Sequence, residues 1–191
     1  MISALAQRRN DGDQQLFIKF HSWSVFDLPL IHRAYPGVPW IFLYRDPCEV
    51  LSSQLGHRSA HMVPGAIEPE LFGMKLDEVF EMEPEEYCAR VLAGVCEAAL
   101  ENSKSSRGML INYAQLPEAV LTHILNFFGV ELSDSETKAM QRAARLDANN
   151  PAVVERGFEM KHKGATEAMR RAVARWVLPI YEQLEATRIR T

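Results

Sequence analysis

Cysteine is scarce in this chain of 191 residues: Cys48, Cys88 and Cys96 form an odd set with neither CxxC nor Cys/His spacing. That argues against a disulfide framework and against a zinc knuckle, and it fits a reducing, cytoplasmic compartment. Long apolar runs are missing too. None approaches the roughly 18 residues of a membrane span, and the polar Met1–Asn10 stretch has no apolar core of the signal-peptide type. Basic charge is not in excess, since 21 Lys and Arg stand against 25 Asp and Glu for a formal charge of -4. No overall field draws such a chain onto nucleic acid, although a local basic pocket is compatible with the count. The P-loop pattern GxxxxGK followed by Ser or Thr is also absent. Lys104-Ser105-Ser106 follows a helical pattern and precedes a strand, the reverse of P-loop order, which argues against ATPase or kinase chemistry.

What is present is enough for one good core. At 47% hydrophobic and 24% charged, the sequence reads as a single domain over 1–191. Leu16-Phe17-Ile18-Lys19-Phe20, Trp40-Ile41-Phe42-Leu43-Tyr44 and Met109-Leu110-Ile111-Asn112-Tyr113 are short apolar runs of the kind expected in a parallel sheet buried on both faces. Between the first two, Asp27 is placed to cap a helix running to about Ala34, which Tyr35-Pro36-Gly37 would stop. After the second, Pro47 suits the first turn of a helix through Leu55. Gly56 to about Pro84, rich in Pro and Gly, predicts a long surface excursion of the lid type. Glu85 to Asn102 carries Tyr87, Val91, Leu92, Val95, Ala98 and Ala99 at helical spacing. Helices then dominate: Pro117–Phe128 ending at Gly129, one opened by Ser133 with Glu136 as a capping box, and one from Thr166 to about Ala186.

The segment Phe17 to Leu55 puts charged and hydroxyl groups at strand ends and at a helix start, where open α/β sheets bind ligands. Lys19 and His21 close the first run, Arg45 closes the second, and Ser52 and Ser53 follow on the helix. A guanidinium fork with a serine hydroxyl and free backbone N–H groups makes a phosphate seat. The competing reading of Arg45 is a surface ion pair with Asp46 or Glu49; that of Lys19 is a snorkelling edge residue, and that of His21 a capping or packed ring.

Lys19-x-His21 followed by Tyr44-Arg45-Asp46-Pro47 and Ser53, eight residues after the arginine, resembles the paired signatures of sulfotransferases that use phosphoadenosine phosphosulfate. Asn112-Tyr113-Ala114-Gln115-Leu116 is similar to that family's Tyr-Glu-Asp-Leu segment, with Ala114 and Gln115 where the two acids usually stand. The resemblance implies an α/β, three-layer P-loop-like domain with a short parallel sheet flanked by helices and a helical C-terminal half. It implies sulfonate transfer from 3′-phosphoadenosine-5′-phosphosulfate to a hydroxyl or amine, without a metal. Within it, His21 is the base and Lys19 assists the phosphosulfate. Arg45 and Ser53 hold the 3′-phosphate, Tyr113 lines the adenine side, and Lys163 of Lys161-His162-Lys163-Gly164, with Arg156-Gly157 as a rival, is the late basic contact.

The family's Lys-Ser-Gly-Thr-Thr-type loop, which wraps the 5′-phosphosulfate, is not among the fifteen residues before Leu16. The expectation is a domain incomplete at its N-terminus. The alternative is a catalytically inactive nucleotide-binding or interaction module that keeps only the 3′-phosphate site. Apolar strand faces left uncovered would favour a homodimer. The acceptor, whether a small molecule, carbohydrate or lipid, has no code in the sequence. His57 and His61 make an HxxxH pair without a third ligand, which is weak metal evidence. Met62, Met74 and Met82 read as packing filler, Trp23, Trp40 and Trp176 as core, and Arg170, Arg171 and Arg175 as a solvated helix face.

Overall fold

A computed structural model describes residues 7, 15–105, 107–144 and 165–189. Its elements are α1 (Leu28–Ala34), β1 (Trp40–Tyr44), α2 (Pro47–Gly56), α3 (Leu76–Val79), α4 (Pro84–Ser105), β2 (Gly108–Asn112), α5 (Leu125–Phe128), α6 (Asp134–Ala143), α7 (Glu167–Ala172) and α8 (Leu178–Thr187). Wide, π-type turns at Val120–Ile124 and Val173–Val177 lead into α5 and α8. The protein is thus mixed α/β and mostly helical.

Both strands recognised from the apolar runs at 40–44 and 109–113 form, and they pair in parallel from Trp40 beside Gly108 to Tyr44 beside Asn112. Gly108 is required at that pairing, because a Cβ there would sit 2.4 Å from Cζ2 of Trp40. The third expected strand, Leu16–Phe20, does not form: residues 15–21 are irregular, and the sheet of the described residues has two strands. A strand exists only through its hydrogen-bonded neighbour, and this segment instead leans on α5. Gln15 Nε2 donates to the carbonyl of Gly129 at 3.3 Å, and Phe17 meets Phe128 edge-on at 5.2 Å. Leu16, Phe17 and Phe20 remain exposed.

The core is organised by α4. Tyr87, Cys88, Val91, Val95 and Ala99 are buried along one face, following the expected spacing, and pack with Leu51 of α2, Leu110 of β2, Val177, and Ile180 and Leu184 of α8. The stretch expected as a surface excursion is mostly exposed, but it anchors itself by a few buried side chains. Met62, Phe72, Met74 and Val79 are all buried, the methionines as filler, and only the chain between them reaches solvent. Irregular backbone can bury side chains without any period, because a long helix supplies the apolar surface they cover.

Helix ends follow their local chemistry. Asp46 Oδ1 accepts from Glu49 N at 3.0 Å to open α2, with Pro47 in the first turn. Ser133 and Glu136 form the reciprocal capping box of α6, and Gly129 stops α5 with φ of 66°. Asp27 precedes α1 without capping it by its side chain; a tight turn at Ser22–Asp27 leads in instead.

Candidate functional site

Parallel pairing sets the carboxyl ends of β1 and β2 side by side, and the residues there form two kinds of wall around one cleft of about 430 Å³. The first wall is the face of a closed polar network that lines the cleft only through Tyr44 and Tyr181, its other members lying outside the lining. Glu185 of α8 accepts at Oε1 from Tyr44 Oη (2.8 Å) and from Asn112 Nδ2 (2.7 Å), and at Oε2 from Arg188 Nε (2.8 Å). Asn112 Nδ2 also reaches Tyr181 Oη at 3.1 Å. Asn112 Oδ1 accepts from Ala114 N while Gln115 Oε1 accepts from Asn112 N, so the glutamine standing in an acid's place closes a capping box. Gln115 Nε2 then donates to the carbonyl of Ile189 at 2.9 Å. Burial alone would raise the Glu185 carboxyl, but hydrogen bonds from Asn112, Tyr44 and Arg188 outweigh it and hold it below the ordinary carboxylate value. Burial first, then Glu185 itself, pushes the Tyr44 phenol well up, so it stays a neutral donor.

The cleft lies beside this network. Arg45, immediately after β1, and Lys19, at the end of the irregular segment, both line it, and its described lining contains no Asp or Glu. Arg45 has neither an ion pair nor a hydrogen bond among the described residues; Asp46, its expected competitor, is turned to the helix cap. Pro47, Val50 and Gln54 present the helical face of α2, and Tyr113 and Tyr181 add aromatic edges. Phe42, Leu92, Val95 and Val177 supply an apolar floor. Two cations over an apolar, aromatic-edged cleft suit an anionic ligand with a ring system.

Of the residues singled out in the sequence, Lys19, Arg45 and Tyr113 thus come together. Ser53 is exposed on α2 and is not part of the lining, where its neighbour Gln54 is. His21 is likewise outside the lining, exposed, with its ring stacked on Trp23 at 4.4 Å. Lys163, with Arg156 and the rest of Lys161–Gly164, lies outside the described residues.

Another part of the lining carries a histidine that the sequence weighed only as half of the HxxxH pair. His61 is 5% exposed, lines the cleft, and places Nε2 3.2 Å from Ser22 Oγ. Its partner in the HxxxH spacing, His57, is exposed, and no three His, Cys, Asp or Glu residues among those described are grouped to hold a metal. Cys96 also lines the cleft, but burial pushes its thiol up to about 12, which removes it as a thiolate nucleophile. No helix among the described residues is long and apolar enough to cross a membrane.

Compared with models of protein families, with curated proteins and with solved structures, the chain finds no match in any of the three.

Proposed function

We propose that this protein is a sulfotransferase-like domain that binds 3′-phosphoadenosine-5′-phosphosulfate in the cleft and passes its sulfonate to a hydroxyl or amine acceptor, on a three-layer P-loop-like plan. The observation carrying the reading is the meeting of Arg45 and Lys19 in one cleft, free of carboxylates among its described residues, at the carboxyl ends of two parallel strands. Arg45, following the strand as in the family pattern, takes the 3′-phosphate by a two-pronged charge-assisted contact. Lys19 meets the phosphosulfate end, and Tyr113 offers its ring to the adenine. The co-substrate supplies the activated sulfonate; the chain supplies charge, orientation and an apolar floor.

A second reading is favoured by the position of His21, the expected base, outside the cleft lining: a domain that holds the 3′-phosphorylated nucleotide without transferring sulfonate. Both readings require selectivity for the 3′-phosphate. Calorimetry should show adenosine 3′,5′-bisphosphate binding about ten- to a hundredfold more tightly than adenosine 5′-monophosphate, the worth of a charge-assisted contact. Arg45→Ala should abolish that preference while leaving the weaker ligand's affinity within about twofold. Equal affinities in the unaltered protein would end both readings.

A further inference from the structure

Charge is not spread evenly over this chain. Between Glu68 and Glu86 eight acids stand against one base, Lys75, an excess larger than the whole chain's formal charge of -4, so the remainder is net basic. Within that stretch α3 and the residue after it raise an apolar ridge. Leu76 is 51% and Phe80 66% exposed, and the two lie one helical turn apart. Both side chains close over Gly65, where a Cβ would stand 2.9 Å from Phe80 Cζ and 3.9 Å from Leu76 Cδ1. Asp77, Glu78 and Glu81 flank the ridge, all exposed and none in an ion pair among the described residues. Adjacent apolar side chains held in water with a charged rim have the make-up of a contact surface.

The same molecule carries the opposite surface. α7 and the turn into α8 expose Arg170, Arg171, Ala174, Arg175 and Leu178. Arg171 meets Glu167 at 3.4 Å, Arg175 lies over the Trp176 ring at 4.7 Å, and the Arg170 side chain has neither an ion pair nor a hydrogen bond among the described residues. This face is apolar and basic where the ridge is apolar and acidic. Arg175 Nη1 stands 4.0 Å from Oε1 of Glu86, the last acid of the acidic stretch, so the two surfaces adjoin.

We propose that these surfaces form a two-fold interface between two copies of the chain, the Leu76/Phe80 ridge of each docking on the Arg170–Leu178 face of the other. Leu76 and Phe80 meet Ala174 and Leu178, while Asp77, Glu78 and Glu81 meet Arg170 and Arg171. Because the two surfaces adjoin in one molecule, a single axis near Glu86 and Arg175 brings both contacts together, and each occurs twice. The interface uses helices, not the strand faces on which the sequence-based expectation of a homodimer rested. It involves no ligand of the cleft, so it stands or falls independently of the function proposed above.

Sedimentation velocity of the whole chain over a concentration series decides the matter. At low salt the unaltered chain should form dimers, and added salt should weaken them, because exposed charges are screened beyond about 10 Å at 0.1 M. The double variant Asp77→Lys/Glu81→Lys should raise the dissociation constant at least about tenfold, and so should Arg170→Glu/Arg171→Glu. Mixed in equal amounts, the two variants should recover a dimer, since one of its two contacts is then native and the other has its charges exchanged. Phe80→Ser should weaken the dimer by about tenfold without lowering the urea midpoint of the dilute monomer, in which that ring is mostly in water. A chain that stays monomeric at low salt would overturn the proposal. So would dimers indifferent to both double variants, or folded variants whose mixture stays monomeric. A monomer that binds a helical peptide rich in Lys and Leu through Phe80 would overturn it as well and give the ridge to a different protein.

Discussion

The two walls of the cleft are built on opposite plans. On the strand side, Tyr44, Asn112, Tyr181, Glu185 and Arg188 satisfy one another, and Glu185 alone receives three hydrogen bonds. On the side of the Ser59–Val63 turn, His61 has one nitrogen engaged and the other bare, and Arg45 at the cleft's edge has no partner among the described residues. A satisfied network fixes geometry, whereas an unpartnered guanidinium lining a cleft has affinity left over for an anion. The contrast separates scaffold from site even though both are polar.

The largest expected effect falls on the scaffold. Glu185→Ala strands the Tyr44 hydroxyl and leaves the Asn112 amide with Tyr181 alone, so urea unfolding should show a loss of about 1–3 kcal/mol, the cost of one buried group left unpaired. A loss below about 0.5 kcal/mol would mean that water replaces the carboxylate and that the two walls do not differ in kind.

Acid should distinguish the walls next. Glu185 has a folded pKa below its unfolded value of about 4.3, so the unfolded chain takes up that proton first. Its contribution is complete above that value and is lost as pH falls through the folded one. His61 is also depressed, relative to about 6.5 in the unfolded chain; its contribution begins to fall away below that pH, while the strand-side wall is still intact. Urea midpoints should therefore decline between pH 7 and 5.5, and His61→Gln should flatten that decline without changing the later one near pH 4. A decline unaffected by the substitution would place its origin elsewhere.

The smallest effect is expected at Ser22. Its side chain is exposed, so in Ser22→Ala water can take the hydroxyl's place, and thermal or urea unfolding should register a change under about 1 kcal/mol. A larger loss would make the Ser22–His61 pair part of the scaffold.

Sequence patterns were informative wherever a local rule decides the outcome. The Asp46-Pro47 start of α2, the Ser133/Glu136 box, the Gly129 stop and the buried face of α4 all follow from chemistry within one or two turns. Leu16–Phe20 has the same apolar character as Trp40–Tyr44, yet only the latter finds a strand to pair with, and pairing is not written in either run. The 57–83 stretch, with its Pro and Gly, reads as surface because its buried residues obey no period. In the site, Lys19 and Arg45 follow from expected strand-end positions and Tyr113 from the family resemblance, but Ser53 and Gln54 differ by one step round a helix, and that step decides which enters the cleft. His61 carried no signal beyond HxxxH. Its meeting with Ser22 spans 39 positions and depends on how α4 gathers the stretch before it.

Tyr87 gives that gathering a further meaning. A phenol rooted in the longest helix holds the main chain of the Ala60–Met62 turn by two carbonyls, and the same helix sends Leu92 and Val95 into the cleft floor. Imidazole and floor are therefore mounted on one rigid beam, so that a tilt of α4 would carry both together and re-aim the ring relative to Arg45 rather than relative to the apolar residues beneath it.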